Sequence, residues 1–318
     1  MATMRDGPGK SCPGSYGYSP ATLAKAAELR VDCLWIAGGL YGNTFALEVL
    51  LERYERERGG KALVFNGDFH WFDIDPTDFE AVNDAVLSFH ATRGNVETEL
   101  SNPTIGAGCG CAYPDWVDED TVDRSNRIIE RLRRTAQDVP DALRRFAALP
   151  MHLRIDVGGS RIAIVHGDAS SLAGWGFSQE LLAKPAGIAA ALRAFETTKV
   201  QVFASSHTCL PVLQSFSGGR VLINNGAAGM PNFRGDLFGL ATRIALSPAD
   251  DSFYGVQIGD LYVDAIPLHY DLSGWRRRFL AQWPAGTDAH VSYYRRIVHG
   301  PAYMPSDALR TREQKATV

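Results

Sequence analysis

One stretch constrains this chain more than any other: Ala62-Leu63-Val64-Phe65, closed by Asn66-Gly67 and followed at once by Asp68. A short, wholly apolar run ended by a turn signal reads as a strand buried on both faces, and such strands belong to sheets covered by helices. In those sheets, ligands and reacting groups gather at the carboxyl ends of the strands, where loops open into a crevice. Asp68, His70 and Asp73 stand at that end and carry a functional reading; the plainer alternative is a turn whose aspartate caps a helix.

The same unit flanks the stretch on both sides. Before it, residues 32–37 read as a buried strand, Gly38-Gly39-Leu40-Tyr41-Gly42-Asn43 as a glycine-rich loop, and Leu47, Leu50, Leu51 and Tyr54 recur at helical spacing over 44–58. After it, a helix over 76–89 leads to a short strand entering Thr92-Arg93-Gly94-Asn95-Val96-Glu97. This alternation of strand and helix is an α/β signature. A short helix is also expected over 21–29. Residues 98–117 read as an irregular loop carrying Gly106, Gly108, Cys109, Gly110 and Cys111, long enough to suggest function. Residues 118–146 read as one helix, acidic first and arginine-rich later. That order suits the helix dipole of a solvated structural helix, the alternative being an arginine-lined cap.

Further on, strands 153–157 and 161–165 form a hairpin through Gly158-Gly159 and end in His166-Gly167-Asp168. Strand 200–204 ends in Ser205-Ser206-His207-Thr208-Cys209, and more strands are expected at 211–216, 220–224, 239–246, 253–258 and 261–267. Four strands thus end in Asp68, Asn95, His166 and His207, oxygen and nitrogen donors of the kind that hold a transition metal.

Composition narrows the classes. A chain of 318 residues with 45% hydrophobic content can bury a large core, and a net charge of −4 supplies no general attraction for nucleic acid or an anionic membrane. Five cysteines, an odd number, fit a reducing compartment better than a disulfide framework. The amino terminus lacks the apolar run of a signal peptide and no later run approaches a membrane span, so a cytoplasmic location is expected. Residues 1–20, rich in Gly, Pro and Ser, are expected to be a flexible arm or a surface strap, 21–300 one domain with room for a cap or loop insertion at 98–147, and 301–318 a flexible tail. Gly9-Lys10-Ser11 imitates the end of a phosphate-binding loop, but Met4 stands where the opening glycine belongs and no strand precedes it.

Over about residues 31–235 these motifs resemble the calcineurin-like metallophosphoesterase superfamily. The family pattern runs D-x-H, G-D-x-x-D, G-N-H-[DE], a lone His and G-H-x-H. This chain reads Gly39-Leu40-Tyr41, Gly67-Asp68-Phe69-His70-Trp71-Phe72-Asp73, Gly94-Asn95-Val96-Glu97, His166 and Ser206-His207-Thr208-Cys209. Asn224-Asn225-Gly226 is similar to the family's turn after its last histidine motif. The resemblance implies a four-layered α/β sandwich and a metal site bridged by the G-D aspartate. It also implies that the first metal's own ligands are lost, because Gly39, Tyr41 and Cys209 occupy their places. One divalent ion, Mn, Fe or Zn, is then expected on Asp68, Asn95, His166 and His207.

The implied activity is hydrolysis of a small phosphomonoester or phosphodiester by metal-activated water; the alternative is a catalytically silent relative that binds a ligand or partner. A third reading is altered chemistry in which Tyr41 and Cys209 replace the missing metal. Val96 stands where the family has the histidine credited with protonating the leaving group. His70 and Tyr41 are the candidate catalytic residues in its stead. His70 is the nearest spare imidazole, an acid or a further ligand unless it is bonded locally, and Tyr41 needs its pKa of roughly 10 lowered to act at neutral pH. Cys109, Cys111 and Cys209 either gather round a soft metal or are free or redox-active thiols. Asn43 either caps the helix that follows it or contacts an anion.

Overall fold

A computed structural model of the chain describes residues 7–310; the parts of the expected arm and tail at 1–6 and 311–318, Met4 among them, lie outside the described residues. The strands are β1 (Leu29–Val31), β2 (Cys33–Ala37), β3 (Lys61–Asn66), β4 (His90–Thr92), β5 (His152–Val157), β6 (Ser160–Val165), β7 (Val202–Ser205), β8 (Val212–Phe216), β9 (Arg220–Asn224), β10 (Gly239–Ala245), β11 (Tyr254–Ile258), β12 (Leu261–Leu268) and β13 (Leu309–Arg310). The helices are α1 (Thr44–Arg56), α2 (Pro76–Val86), α3 (Asn95–Ser101), α4 (Glu119–Gln137), α5 (Pro140–Ala148), α6 (Gln179–Leu182), α7 (Pro185–Thr198), α8 (Leu272–Gln282), α9 (Asp288–His299) and α10 (Pro305–Ala308). No helix among the described residues is long and apolar enough to cross a membrane.

One sheet runs β11-β12-β10-β2-β3-β4 and the other β1-β5-β6-β7-β9-β8-β13. Successive residues of a strand point to opposite faces, and this alternation sorts the core into layers. Cys33, Trp35 and Ala37 of β2 pack toward α1, α2, α4, α5 and α8, whereas Leu34 and Ile36 pack toward Ile162, Ile164 and Ile223 of the other sheet. That second sheet turns Ala163, Phe203 and Leu222 outward onto Phe195 of α7. The result is helix, sheet, sheet, helix: the four-layered α/β sandwich. Each large apolar side chain buried between layers contributes roughly 1.5–3 kcal/mol. Each sheet contains a run of parallel strands, β2-β3-β4 at one end of the first and β6-β7-β9 in the middle of the second. Their carboxyl ends supply the loops that build the site.

Several elements differ from the sequence reading, each for a local reason. The helix expected over 118–146 is two helices, because Pro140 has no amide hydrogen and disfavours the helical conformation at Val139. Ile128, Ile129 and Leu132 of α4 and Phe146 of α5 share the core of β3, so 98–147 is part of the helical layer. The irregular loop begins later than expected, since α3 is closed at its start by Glu97, whose carboxylate accepts from the Gly94 amide. Residues 20–24 form a 3-10 turn where a helix over 21–29 was expected, and Leu29 already pairs with β5. The described part of the arm is packed: Tyr16 is fully buried and donates to Glu99 at 2.6 Å, while Gly9 bonds Ala107 and Tyr113 through its backbone. The described part of the tail is fixed likewise, with Tyr303 stacked on Phe233 and β13 paired with β8.

Candidate metal centre

The turn after β3 places Asp68 in a left-handed conformation (φ 52°), and Tyr41 (φ 56°) and Cys209 (φ 59°) adopt the same region on neighbouring loops. Such backbone is costly for non-glycine residues and collects where the surroundings over-determine it. Here the surroundings are specific. Glu97, fully buried, accepts from the amides of Asp68 and Gly94 through one oxygen and of Phe69 through the other. The Val96 amide donates to Asp68 Oδ1 at 3.2 Å. Gly67 lets these loops meet, since a Cβ there would lie 2.5 Å from the Gly94 nitrogen and 2.6 Å from His166 Nδ1. Below, Asn66 donates to Val165 O and Ser206 Oγ, and Asn225 donates to Gly38 O and Leu240 O, which ties the two sheets together.

Asp68, Asn95, His166 and His207 converge on one point. His166 Nε2 lies 3.3 Å from Asp68 Oδ2, 3.2 Å from Asn95 Oδ1 and 3.2 Å from His207 Nδ1. The remaining nitrogens are spoken for: His166 Nδ1 donates to Asn66 O at 2.8 Å and His207 Nε2 to Cys111 O at 3.0 Å. Asn95 donates its amide hydrogens to Cys109 O and Cys111 Sγ, so its oxygen is the atom turned inward. With both imidazoles neutral, two lone pairs, an amide oxygen and a carboxylate oxygen face one another with no hydrogen between them. Acceptors that close at that distance require a proton or a cation. The donor set, nitrogen with hard oxygen and distal N–H groups held by carbonyls, fits a divalent transition metal.

The electrostatics agree. Burial opposes ionisation of Asp68, but His166 and then His207 outweigh it and hold the carboxyl below its usual range. Burial equally opposes a charge on His166, yet Asp68 outweighs it and raises the imidazole above its usual value. His207, pressed by burial and by His166, is pushed down to about 4 and is neutral at physiological pH. Asp68 therefore favours a proton on His166 where no cation is held.

The adjacent place is filled differently. Gly39 brings no side chain, and the Tyr41 hydroxyl meets Cys209 Sγ at 2.8 Å. Cys209 in turn reaches His207 O at 3.3 Å, which leaves Tyr41 as the donor to sulfur. Burial raises both groups above their usual values, so both keep their protons at neutral pH. Tyr41 lines the cavity, but as a hydrogen-bond donor and not as a base.

His70 is not brought into the site. Its ring is fully buried, stacked on Phe79 at 3.9 Å and packed against Phe69 and Phe146, and its Nδ1 lies 2.6 Å from Asp73 Oδ2. The catalytic and ligand readings of His70 are therefore corrected to the locally bonded one: residues Phe69 to Asp73 turn the imidazole into the aromatic core. Asp73 serves the same turn by accepting from the Trp71 amide. Asn43 caps α1, its side chain accepting from the Ala46 amide. The expectation of thiols at 109 and 111 also changes. Gly110 (φ 67°) reverses the chain between Cys109 and Cys111, which are 5.4 Å apart at Cα and joined by a disulfide. They do not gather round a metal with Cys209. What this turn gives the site is its main chain, through Cys109 O and Cys111 O.

A cavity of about 410 Å³ opens above the cluster, within the range of small-molecule sites. Asp68, Asn95 and His207 line its base and Val96, Tyr41 and Cys209 its sides. Arg296, Trp175, Trp116, Tyr113 and Tyr293, none of them expected from the sequence, also line it, with Glu180 among the remaining lining residues. Their only signal is the density of aromatic residues in 113–116 and at 175; Arg296 lies on α9, far from any motif. A hollow of about 500 Å³ elsewhere, lined by Arg53, Arg243 and Asp251, contains none of the convergent groups.

The chain matches no protein-family model and no curated protein. Among solved structures it is similar to a metallophosphoesterase from Sphaerobacter thermophilus, with a TM-score of 0.55 and 16% identity over 85% of this chain and 100% of that one. It is also similar to a hypothetical protein from Pyrococcus horikoshii OT3, with a TM-score of 0.57 and 13% identity over 85% of this chain and 99% of that one. At such identities the likeness carries the fold, and the chemistry has to come from the residues.

Proposed function

We propose that this chain, which has the metallophosphoesterase fold, is a phosphoester hydrolase that works with a single divalent ion held by Asp68, Asn95, His166 and His207. The observation that carries this reading is the meeting of three acceptor atoms about a fourth, His166 Nε2, at 3.2–3.3 Å while both distal imidazole nitrogens donate to backbone carbonyls. Mn, Fe or Zn held there would polarise a phosphoryl oxygen and lower the pKa of water at the base of the cavity. The chain's own residues do the rest. Asn66 O and Cys111 O orient the two imidazoles, Glu97 fixes the backbone of Asp68, and Tyr41, its hydroxyl donating to Cys209 Sγ, fills the place beside them at the cavity wall. Val96 has no proton to give, so departure of the leaving group goes without general-acid help.

The test is elemental analysis of protein purified without added metal, followed by turnover of aryl and alkyl phosphomonoesters and phosphodiesters with Mn, Fe and Zn. About one ion per chain is expected, and two tightly held ions would overturn the single-metal reading. Aryl esters should react faster than alkyl esters by roughly 100- to 10,000-fold, the usual worth of general acid–base help. Val96→His should narrow that gap. If no wild-type rate exceeds that of Asp68→Asn with any metal, the hydrolase reading fails and a catalytically silent binder takes its place.

A further inference from the structure

The aromatic part of the cavity wall has a chemistry of its own. Trp175 stands edge to face with Trp116 (6.3 Å) and with the His207 imidazole (5.6 Å), and Tyr113 lies 6.0 Å from it. Trp175 is held firmly, because its Nε1 donates to Cys111 O while Asp168 accepts from the amides of Ser170, Ser171 and Gly176 and so shapes the loop that carries it. Trp116 is 50% exposed, whereas Trp35, Trp71, Trp275 and Trp283 are all at most 5% exposed. The Trp116 ring carries the Lys184 ammonium 5.6 Å from its centroid and is otherwise open to water on the rim of the cavity; beside Trp175, which is anchored by a hydrogen bond, it offers aromatic surface on which a planar ring can stack.

The opposite need is met by Arg296, the one lysine or arginine lining this cavity among the described residues. Its Nε donates to Pro231 O and its Nη2 to Cys209 O, both at 2.8 Å, so the guanidinium is fixed beside Tyr41 and Cys209. A fixed guanidinium suits phosphate better than a mobile ammonium does, since its donors form a planar fork.

We infer that the substrate is a phosphoester that carries a planar aromatic group, its phosphate taken by Arg296 and the metal centre and its ring by the Trp116, Trp175 and Tyr113 wall. This rests on the phosphoesterase reading of the same site. The shared chemistry covers both a simple aryl phosphate and a nucleotide, in which a sugar separates ring and phosphate.

The test is binding, which the missing acid at Val96 does not affect. Phenylphosphonate, propylphosphonate, adenosine 5′-phosphorothioate and inorganic phosphate are titrated into the protein as purified with its metal, by calorimetry and by tryptophan fluorescence. Phenylphosphonate or the nucleotide analogue should bind about tenfold or more tightly than propylphosphonate, the usual effect of one stacked ring, and the tighter of the two identifies the source. Trp116→Ala should remove that preference and leave inorganic phosphate unchanged, and Trp116→Phe should restore most of it. Arg296→Gln should weaken all four ligands alike, with Arg296→Lys weakening them less and circular dichroism reporting the fold of both.

Equal binding of ring-bearing and alkyl ligands by the wild type overturns the inference, as does a Trp116→Ala that weakens phosphate as much as the ring-bearing ligands. An Arg296→Gln that folds and weakens none of them overturns the role given to Arg296. The two readings fail separately. Metal-dependent turnover without preference for a ring leaves the hydrolase and removes this inference; a preference lost in Trp116→Ala but without any turnover removes the hydrolase, and the ring-bearing phosphoester is then a ligand and not a substrate.

Discussion

Two buried histidine–aspartate pairs take their aspartates from the stretch after β3, and only one of them makes a site. His166 Nε2 and Asp68 Oδ2 stand 3.3 Å apart, and His70 Nδ1 and Asp73 Oδ2 stand 2.6 Å apart, with both imidazoles fully buried. The difference lies in the other nitrogen. His166 gives its Nδ1 hydrogen to Asn66 O and so turns a lone pair toward Asp68, Asn95 and His207. His70 has its Nδ1 on Asp73, while its Nε2 has no hydrogen-bond partner among the described residues and its ring lies among Phe69, Phe79 and Phe146. One arrangement presents acceptors to a cavity; the other seals its pair inside an apolar box. A histidine beside an aspartate is thus not yet a ligand, and what the second nitrogen meets decides.

Single substitutions should separate the two pairs. His207→Ala removes an inward lone pair, and its loss should exceed the 10- to 100-fold typical of outer-shell changes, leaving metal undetectable by elemental analysis after gel filtration. Retention of a full equivalent would break the comparison on its metal side. His70→Ala should do the reverse. It empties a packed aromatic box and strands the Asp73 carboxylate in it, which should cost about 3–5 kcal/mol in denaturant unfolding while metal affinity stays within about threefold. Loss of metal from a folded His70→Ala protein would place His70 back in the site.

The sequence made the quartet legible and the box illegible, for reasons that can be stated. Asp68, Asn95, His166 and His207 each follow a strand closely, so a strand assignment also fixes the end of the sheet at which the residue lies. His70 sits two residues further, past a left-handed turn at Asp68, and no periodicity says which way a side chain points there. The layered fold was readable because apolar runs such as 62–65 require cover on both faces. Helix α3 was not readable, because its start depends on Glu97 reaching back to amides across a loop. Arg296, Trp116 and Trp175 escaped for another reason: they come together only when α9 and the loops before α4 and α6 fold over the cluster.

The proton on His166 gives the comparison a pH axis. A metal can bind only the deprotonated imidazole, and Asp68 raises the His166 pKa above its usual value although burial works against the charge. Apparent metal affinity should therefore fall as pH drops through that raised value, by up to about tenfold per unit for one displaced proton, and level off above it. His207, already down at about 4, adds a second proton only in strong acid. Competition against a chelator of known pH dependence measures this slope. A flat profile between pH 6 and 8 would mean that His166 carries no proton to displace, and the reading of the cluster as facing lone pairs would fail.

The smallest expected effect concerns the Cys109–Cys111 turn, which touches the quartet through its backbone. Asn95 Nδ2 donates to Cys109 O, and both His207 Nε2 and Trp175 Nε1 donate to Cys111 O. None of these bonds involves a sulfur, and the bond that this turn's sulfur does make to the quartet, Asn95 Nδ2 to Cys111 Sγ at 3.6 Å, is to a weak acceptor. The turn is also held independently of its disulfide, since the Cys109 amide donates to Asn126 Oδ1 and the Gly110 amide to Ala107 O. Closing so short a loop constrains the unfolded chain little. Replacing Cys109 and Cys111 with serine should therefore keep one metal per chain, with affinity within about threefold of wild type, and a dithiol reductant should have as little effect on the unaltered protein. If the double serine variant folds yet loses its metal, the sulfurs hold the site in a way that the backbone does not, and the line drawn between the open pair and the sealed one would have to run through this turn as well.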